Sequence, residues 1–305
     1  MIRKSSGTGE PNSLPALRER RLELAGYETR ALELDPVGPH AGPALVLLHG
    51  FSDSAETWRR LLARLARRGR HALALDMPGF GRASRLDRTE SILPQLDRFA
   101  AAAIERQAER SPHGEVVVAG NSLGGCVALR AAERSDLPLT GIVAIAPAGL
   151  TMARWLSIIE GEPLVRLVMR VPIPLPEVVI REAVGRVYRM LAYAQPGEVD
   201  AGIIKAFTSH VRTRRHAARV RATGRRLMPE LRDPFVCERI RSPVLLVWGD
   251  SDRMVFPAGA ERLPRAVPDS RTEAIERCGH CSQIEQPERL AELLDEFPAQ
   301  LARAA

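Results

Sequence analysis

Short apolar runs alternate along the chain with longer stretches of helical spacing. Uninterrupted apolar runs of this length are typical of strands buried on both faces of a sheet. They are Ala44–Leu48, His71–Leu75, Glu115–Ala119, Gly141–Ile145, Val244–Val247 and Arg271–Ile275. The helical stretches carry apolar faces formed by Trp58, Leu61, Leu62 and Leu65, and by Leu290, Leu293, Leu294 and Phe297. The alternation predicts an α/β fold, with a mostly parallel central sheet flanked by helices.

The same pattern divides the chain into a lead-in, a core and an insertion. Residues 1–20 are rich in Gly, Ser, Pro and charge, which predicts a flexible N-terminal lead-in. The loose alternation from Leu22 to Leu34 predicts an opening hairpin. Residues 150–235 lack strand-like runs and have helical spacing, which predicts a helical lid inserted between two strands of the sheet. The core then comprises residues 21–149 and 236–305.

The composition is that of a globular protein. A length of 305 residues suits one large domain or one domain with an inserted subdomain, and 45% hydrophobic with 27% charged residues is ordinary for a globular protein. Apolar runs stay well below the roughly 18 residues of a transmembrane helix, so stable membrane insertion is not expected. The first residues lack the apolar segment of a signal peptide, and four cysteines do not form a disulfide framework. These features predict a cytoplasmic protein.

Positive charge is concentrated in one segment. Residues 205–232 hold nine Lys and Arg residues against the single acid Glu230, a net +8, so the rest of the chain carries −1 of the total +7. This segment can be a solvated helical face, or it can attract an anionic substrate or an acidic lipid surface. Aromatic residues make up only 4% of the chain and none lies within 211–226. Nucleic acid is therefore not an expected partner.

The strongest chemical signal is the motif Gly120-Asn121-Ser122-Leu123-Gly124-Gly125. It follows the strand-like run 116–119 and precedes the helical stretch 126–133, which is the context of a G-x-S-x-G nucleophile elbow. Ser122 is predicted to project from a sharp turn as a nucleophile, because the flanking glycines leave room for that turn. The helix that begins behind it places N–H groups and the positive end of a dipole near developing negative charge.

A second turn supplies the partner for this elbow. The strand-like run 44–48 ends in His49-Gly50-Phe51, a turn that lets the N–H of Phe51 face the nucleophile. We predict that the backbone N–H groups of Phe51 and Leu123 form an oxyanion hole, with His49 as a structural support of the turn.

The remaining two candidate residues follow later strands. The run 244–247 leads into Asp250-Ser251-Asp252, and the run 271–275 is followed by His280. We predict that Asp252 orients the general base His280, since it lies on the loop beyond the strand, whereas Asp250 is better placed to stabilise the turn. The order Ser122, Asp252, His280 is the one expected when an elbow supplies the nucleophile.

Two cysteines, Cys278 and Cys281, bracket this histidine with the spacing of a redox dithiol. A catalytic dithiol begins a helix after an early strand, so a packing role is favoured here, and the redox state is left open. The chain offers no second pair with zinc-ligand spacing. Neither a metal nor a cofactor is expected.

Together these motifs make the chain resemble the α/β-hydrolase superfamily over about residues 22–300. The loop 75–81 is similar to the family's loop after its fourth strand. Gly-Asn-Ser-x-Gly-Gly and the helical lid resemble the branch of meta-cleavage carbon–carbon hydrolases, although Cys281 follows His280 where that branch commonly has Trp. A serine at position 122 disfavours the branches with an aspartate nucleophile, the haloalkane dehalogenases and epoxide hydrolases.

The resemblance implies an α/β-hydrolase fold with a catalytic triad and a small-molecule substrate. We predict a serine hydrolase that cleaves carboxylic esters of small to medium, mostly apolar acyl groups. The alternatives are a carbon–carbon hydrolase of meta-cleavage products, a cofactor-free perhydrolase or haloperoxidase, and a binding protein whose triad is silent. Acyl chain length, leaving group and oligomeric state stay open at this point.

Overall fold

One mixed sheet organises the chain. The computed structural model describes residues 17–35, 42–150, 176–208, 214–257, 260–261, 263, 267 and 270–304. Strands β1 to β8 are Leu17–Leu24, Tyr27–Leu34, Ala44–Leu48, Ala72–Leu75, Val116–Asn121, Leu139–Ile145, Val244–Gly249 and Ser270–Ile275. Helices α1 to α8 are Arg59–Arg67, Ile92–Arg110, Leu123–Ala131, Glu177–Ala192, Ala201–Thr208, Arg214–Glu230, Ser282–Glu285 and Pro287–Ala304.

The sheet has the order β1-β2-β4-β3-β5-β6-β7-β8. Strand β2 is antiparallel to β1 and to β4. Strands β3 to β8 all run parallel to one another. Each strand from β3 onward begins and ends within two residues of its predicted bounds. The predicted fold is thus confirmed, and the carboxyl ends of the parallel strands meet at one edge, where ligands bind in open α/β sheets.

The first strand corrects the prediction that residues 1–20 form a flexible lead-in. Strand β1 begins at Leu17, inside that stretch, and pairs with β2 from Leu17↔Leu34 to Leu24↔Tyr27. The pairing is reinforced where the Arg20 Nε lies 2.5 Å from the buried carboxylate of Glu33. Residues 18–21 are all exposed, as their charge predicts, but they belong to a strand at the edge of the sheet, where charged side chains are common. Residues 1–16 lie outside the described residues.

The core lies on both faces of the sheet. Successive residues of a strand point to opposite sides, so Val46 and Leu48 join one apolar cluster while Leu45 and Leu47 join the other. Helices α2 and α3 cover the first face, and α1 and α8 cover the second through the predicted faces around Leu61 and around Leu293. Because both faces are buried, the strands consist of continuous apolar residues.

The chain between β6 and β7 is helical in its described part. It holds α4, α5 and α6, and the residues that the structure describes there form no strand. Helix α6 is anchored to the core, since the Glu230 carboxylate accepts hydrogen bonds from the N–H groups of Ile92 (2.9 Å) and Leu93 (2.8 Å) at the start of α2. Residues 151–175 and 209–213 of the predicted insertion, including Arg212, lie outside the described residues. Among the described helices, none has both the length and the apolar character to cross a membrane.

Candidate active site

Ser122 occupies a strained turn between β5 and α3. Its backbone has φ +54° and ψ −111°, a conformation that side-chain-bearing residues rarely adopt and that costs about 1–3 kcal/mol. The Ser122 N–H donates to the Ile145 carbonyl (2.8 Å), and the Ser122 carbonyl accepts from the N–H groups of Cys126 and Ala148 (both 3.0 Å). Three hydrogen bonds therefore hold the turn that carries the hydroxyl.

Close backbone approach explains the two glycines of the motif. A Cβ placed on Gly120 would lie 2.1 Å from the Gly124 carbonyl oxygen, and a Cβ on Gly124 would lie 2.1 Å from the carbonyl oxygen of Leu48. A side chain on Gly120 would therefore force the two arms of the elbow apart, and a side chain on Gly124 would push the elbow away from β3. The motif spacing thus follows from packing of the turn, as the sequence indicates.

Asp252 and His280 come together at the carboxyl ends of β7 and β8. The His280 Nδ1 lies 2.8 Å from the Asp252 Oδ2, and both side chains are buried. The other carboxylate oxygen, Oδ1, accepts from the N–H groups of Met254 (2.8 Å) and Val255 (3.1 Å). Since one oxygen is held by backbone donors, the other is fixed in direction and orients the imidazole ring.

Asp250 has a different environment. Its carboxylate accepts from the N–H of Arg277 (3.1 Å), the N–H of Cys278 (3.3 Å) and the hydroxyl of Ser251 (2.9 Å). These hydrogen bonds, led by that from Arg277, hold the pKa of Asp250 below its ordinary value. Asp250 ties the loop after β7 to the loop after β8, and it is Asp252 that contacts the histidine.

The turn after β3 lies against Ser122. A Cβ on Gly50 would be 3.4 Å from the Ser122 Cβ. His49 is buried beneath this turn, where its Nε2 accepts from the Met77 N–H (2.9 Å) and its Nδ1 lies 2.7 Å from the Gly50 carbonyl oxygen. Its ring therefore supports the turn that carries Phe51, in agreement with the prediction from sequence.

A buried amide network links the elbow at Ser122 to the histidine loop. The Asn121 Nδ2 donates to the carbonyls of His280 (2.9 Å) and Ile145 (3.3 Å). The Gln283 Nε2 donates to the Asn121 Oδ1 (3.3 Å) and to the Thr57 hydroxyl (3.1 Å). Sequence reasoning missed both amides as site residues. Asn121 lies next to Ser122 in the motif, but no sequence pattern indicates Gln283.

This arrangement is shared with known proteins. The model of the alpha/beta hydrolase family matches residues 45–293. The chain belongs to the alpha/beta hydrolase family. It is 26% identical over 273 residues to a monoacylglycerol lipase of Xenopus laevis, covering 86% of this chain and 77% of that protein. It is 27% identical over 315 aligned positions to 2-hydroxy-6-oxo-6-(2'-aminophenyl)hexa-2,4-dienoic acid hydrolase of Metapseudomonas resinovorans, covering all of both chains.

Solved structures show the same fold. The hydrolase superposes with a TM-score of 0.72 on a serine hydrolase involved in carbazole degradation, at 23% identity and with 93% of this chain and 100% of that chain covered.

Asp53 is a buried acid beside the active site of this hydrolase. It follows the turn after β3, and its Oδ1 accepts from the Ser54 N–H at 2.8 Å. Burial raises the pKa of Asp53 to about 7, while the hydrogen bonds from Ser54 and from the Thr57 side chain oppose the shift. The nearby His280 also favours the charged form. Asp53 therefore changes charge close to neutral pH, a property that its sequence position does not reveal.

Replacing Asp53 with asparagine should stabilise the protein more at pH 8 than at pH 5. An acid whose pKa is raised on folding binds extra protons in the folded state, so its contribution to stability falls as the pH rises from about 4 to about 7. Asparagine mimics the neutral form and removes that loss. We expect the difference in Tm between variant and wild type to grow by roughly 5 °C across this range.

The exposed Asp136 provides the control for this prediction. Its partner Arg134 lowers the pKa of Asp136, so this carboxylate is charged in both the folded and the unfolded state from pH 5 to pH 8, and the Tm difference between Asp136→Asn and wild type should be the same at both pH values. Equal Tm differences at pH 5 and pH 8 for Asp53→Asn would show that Asp53 is charged throughout.

The two cysteines beside the histidine are buried free thiols. Burial raises the pKa of both Cys278 and Cys281, which keeps them in the protonated, unreactive form. The Cys281 sulfur lies 3.4 Å from the Tyr188 hydroxyl of helix α4. Packing against that helix accounts for Cys281 better than redox chemistry does.

Proposed function

We propose that this hydrolase cleaves carboxylic esters of small to medium, mostly apolar acyl groups through a Ser122–His280–Asp252 triad. The observation that carries the proposal is the 2.8 Å hydrogen bond from the His280 Nδ1 to the Asp252 carboxylate. It fixes the ring while Asn121 ties the histidine loop to the end of the strand that leads into Ser122. A base oriented by a buried acid beside a serine on a strained turn is the constellation that activates a hydroxyl.

The proposed roles of the site residues are the following. The His280 Nε2 takes the hydroxyl proton as Ser122 attacks the ester carbonyl, and Asp252 stabilises the resulting imidazolium. The N–H groups of Phe51 and Leu123 bind the oxyanion; that of Leu123 belongs to the first turn of α3, where amides have no acceptor within the helix. His280 then protonates the leaving alcohol and activates the water that hydrolyses the acyl-enzyme.

The choice of an ester, and of an apolar acyl group, has two supports. The similar protein of Xenopus laevis is named a monoacylglycerol lipase, an enzyme that cleaves carboxylic esters. Helix α4 adjoins the active-site histidine through the contact between Tyr188 and Cys281, so the helices between β6 and β7 are suited to act as a lid. Tyr188, Tyr193 and Ile204 pack with Cys281 into an apolar cluster beside the histidine loop.

A carbon–carbon hydrolase of meta-cleavage products is the second candidate. The full-length alignment with the hydrolase of Metapseudomonas resinovorans favours it, and the same triad can serve both reactions.

A substrate panel separates the two candidates. The panel pairs p-nitrophenyl esters of graded acyl length with one vinylogous diketone acid of the meta-cleavage type. The ester proposal predicts that kcat/KM is highest for one of the p-nitrophenyl esters. The kcat/KM for the diketone acid should be lower than that maximum by at least about 10-fold. Preference for the diketone acid would reverse the assignment, and labelling by a fluorophosphonate without turnover of either class would indicate a substrate outside both.

We further propose that the arginine-rich helix α6 favours substrates with a negative group away from the scissile bond. Exposed positions of this helix include Arg215 and Arg219, and a cluster of one sign beside a cleft concentrates opposite charge in a salt-dependent way. Changing both arginines to glutamine should lower kcat/KM for a carboxylate-bearing ester at low ionic strength and leave its neutral analogue unchanged.

The matched control removes the same charge elsewhere. Arg67→Gln with Arg134→Gln lowers the net charge equally at exposed positions outside the insertion. If this pair reduces the preference for the anionic ester as strongly, or if both esters respond alike to salt, α6 is a solvated helical face and exerts no steering.

A further inference from the structure

The loop that carries His280 is hydrogen-bonded to the end of helix α4. The His280 N–H donates to the Ala192 carbonyl at 2.8 Å. Beside this bond, the carboxylate of Glu285 lies between the two segments. Its Oε1 accepts from the Gly279 N–H of the histidine loop and its Oε2 accepts from the Ala194 N–H, each at 2.8 Å. One carboxylate therefore joins the histidine loop to the segment that leaves α4.

The two segments are in direct contact at Gly279. A Cβ at this position would lie 2.7 Å from both the Ala192 carbonyl oxygen and the Ala194 nitrogen, and 2.9 Å from the Glu285 Oε1. A side chain there would separate the segments, so glycine is required for the bridge to close.

Apolar packing continues the same interface. Cys281, directly after the histidine, is buried in a cluster with Ala192, Tyr193, Ile204 and Ile284. The histidine loop is consequently held to the helical insertion on both sides of His280, by hydrogen bonds before it and by packing after it.

Glu285 itself is partly buried, and burial raises its pKa while the Ala194 and Gly279 N–H groups favour its charged form. Both oxygens are used, each by a separate backbone donor. Glutamine has the same shape but offers only one acceptor oxygen, and its NH₂ group would face the second N–H. The bridge is thus specific for a carboxylate.

We propose that Glu285 is a positioning residue that holds His280 in register with the end of helix α4. The inference rests on the proposed function, since it assigns His280 as the base. It goes further by making the placement of the base depend on the helical insertion, so that a displacement of α4 displaces the base from Ser122. A misplacement of about 1 Å is enough to cost on the order of 100-fold in rate.

Glu285→Gln should lower kcat by roughly 10- to 100-fold while leaving KM for p-nitrophenyl acetate within about threefold. The rate is expressed per active site titrated with a fluorophosphonate. A purely structural role would reduce the titrated fraction and the Tm but leave the rate per titrated site unchanged. Glu288→Gln is the matched control, because this nearby carboxylate is exposed and pairs only with surface arginines among the described residues; its rate per site should equal that of wild type.

Ala194→Pro tests the side of the bridge that belongs to the insertion. Proline removes the Ala194 N–H and leaves the Gly279 hydrogen bond, and the extended backbone of Tyr193 (φ −122°, ψ 142°) suits a residue before proline. We expect a loss of kcat per titrated site of about 5- to 50-fold. Gly279→Ala, which inserts a Cβ between the segments, should reproduce this loss if the proline variant does not fold.

Three outcomes decide the proposal. Losses in Glu285→Gln and in Ala194→Pro, or in Gly279→Ala, support it. A loss in Glu285→Gln alone would show that Glu285 serves only its own loop and would overturn the coupling to α4. A wild-type rate per site in Glu285→Gln, beside an inactive Ser122→Ala, would refute the positioning role while leaving the proposed function intact. An active Ser122→Ala would instead refute the function.

Discussion

Replacing Ser122 with alanine is expected to lower ester turnover by roughly 10⁵- to 10⁶-fold and to abolish labelling by a fluorophosphonate. Removing the hydroxyl eliminates the covalent route and leaves only the binding site and the oxyanion donors. The fold should survive, because the turn is held by the backbone hydrogen bonds of Ser122 with Ile145, Cys126 and Ala148. Both turnover and the Tm are measured on the same preparation.

Ser91→Ala is the matched control for this change. Ser91 is exposed at the start of α2, and its side chain makes no capping hydrogen bond. It should retain wild-type turnover and labelling. Turnover near wild type in Ser122→Ala, with the Ser91 variant also active, would remove Ser122 from the mechanism.

Asp252→Asn should cost about 10⁴-fold in kcat, the second largest effect. The Asp252 Oδ1 accepts from the N–H groups of Met254 and Val255, so the oxygen of an asparagine would stay with those donors. Its NH₂ group would then face the His280 Nδ1 and favour the tautomer with the proton on Nε2. That tautomer cannot accept the proton of Ser122.

Asp250→Asn separates this effect from a general weakening of the loop. Its carboxylate serves the N–H groups of Arg277 and Cys278, so the variant should lose some stability and less than about 10-fold in kcat. If Asp250→Asn is the more damaging change, the acid of the triad has been assigned to the wrong aspartate.

The sequence was sufficient to predict the sheet, the elbow and the contact between Asp252 and His280. Strands such as Ala44–Leu48 are buried on both faces, so their continuous apolar character is a strong signal, and the elbow glycines are required because a Cβ there would lie 2.1 Å from a backbone oxygen. The two aspartates could be told apart because one follows its strand directly and the other lies beyond the turn. In each case the signal is local, within a few residues of the group concerned.

Features that depend on distant segments could not be predicted. Glu285 accepts hydrogen bonds from Gly279, six positions before it in the chain, and from Ala194, 91 positions before it. The Gln283 amide likewise reaches Thr57 and Asn121 across the fold. A glutamate in a short polar helix looks like a surface residue until its partners are known. The start of the edge strand at Leu17 was not predicted for the related reason that its exposed, charged residues are held in the sheet by pairing with β2, which comes later in the chain.

Mass spectrometry of the enzyme, quenched in acid during turnover of p-nitrophenyl acetate, tests the central claim most directly. An acyl-enzyme mechanism predicts an acetyl group, located after proteolysis on the peptide that contains Ser122, that approaches one per active site when deacylation is slower than acylation. It also predicts an early burst of p-nitrophenol of the same stoichiometry when deacylation is slower than acylation. Sustained turnover with the acetyl group on another residue would contradict the account.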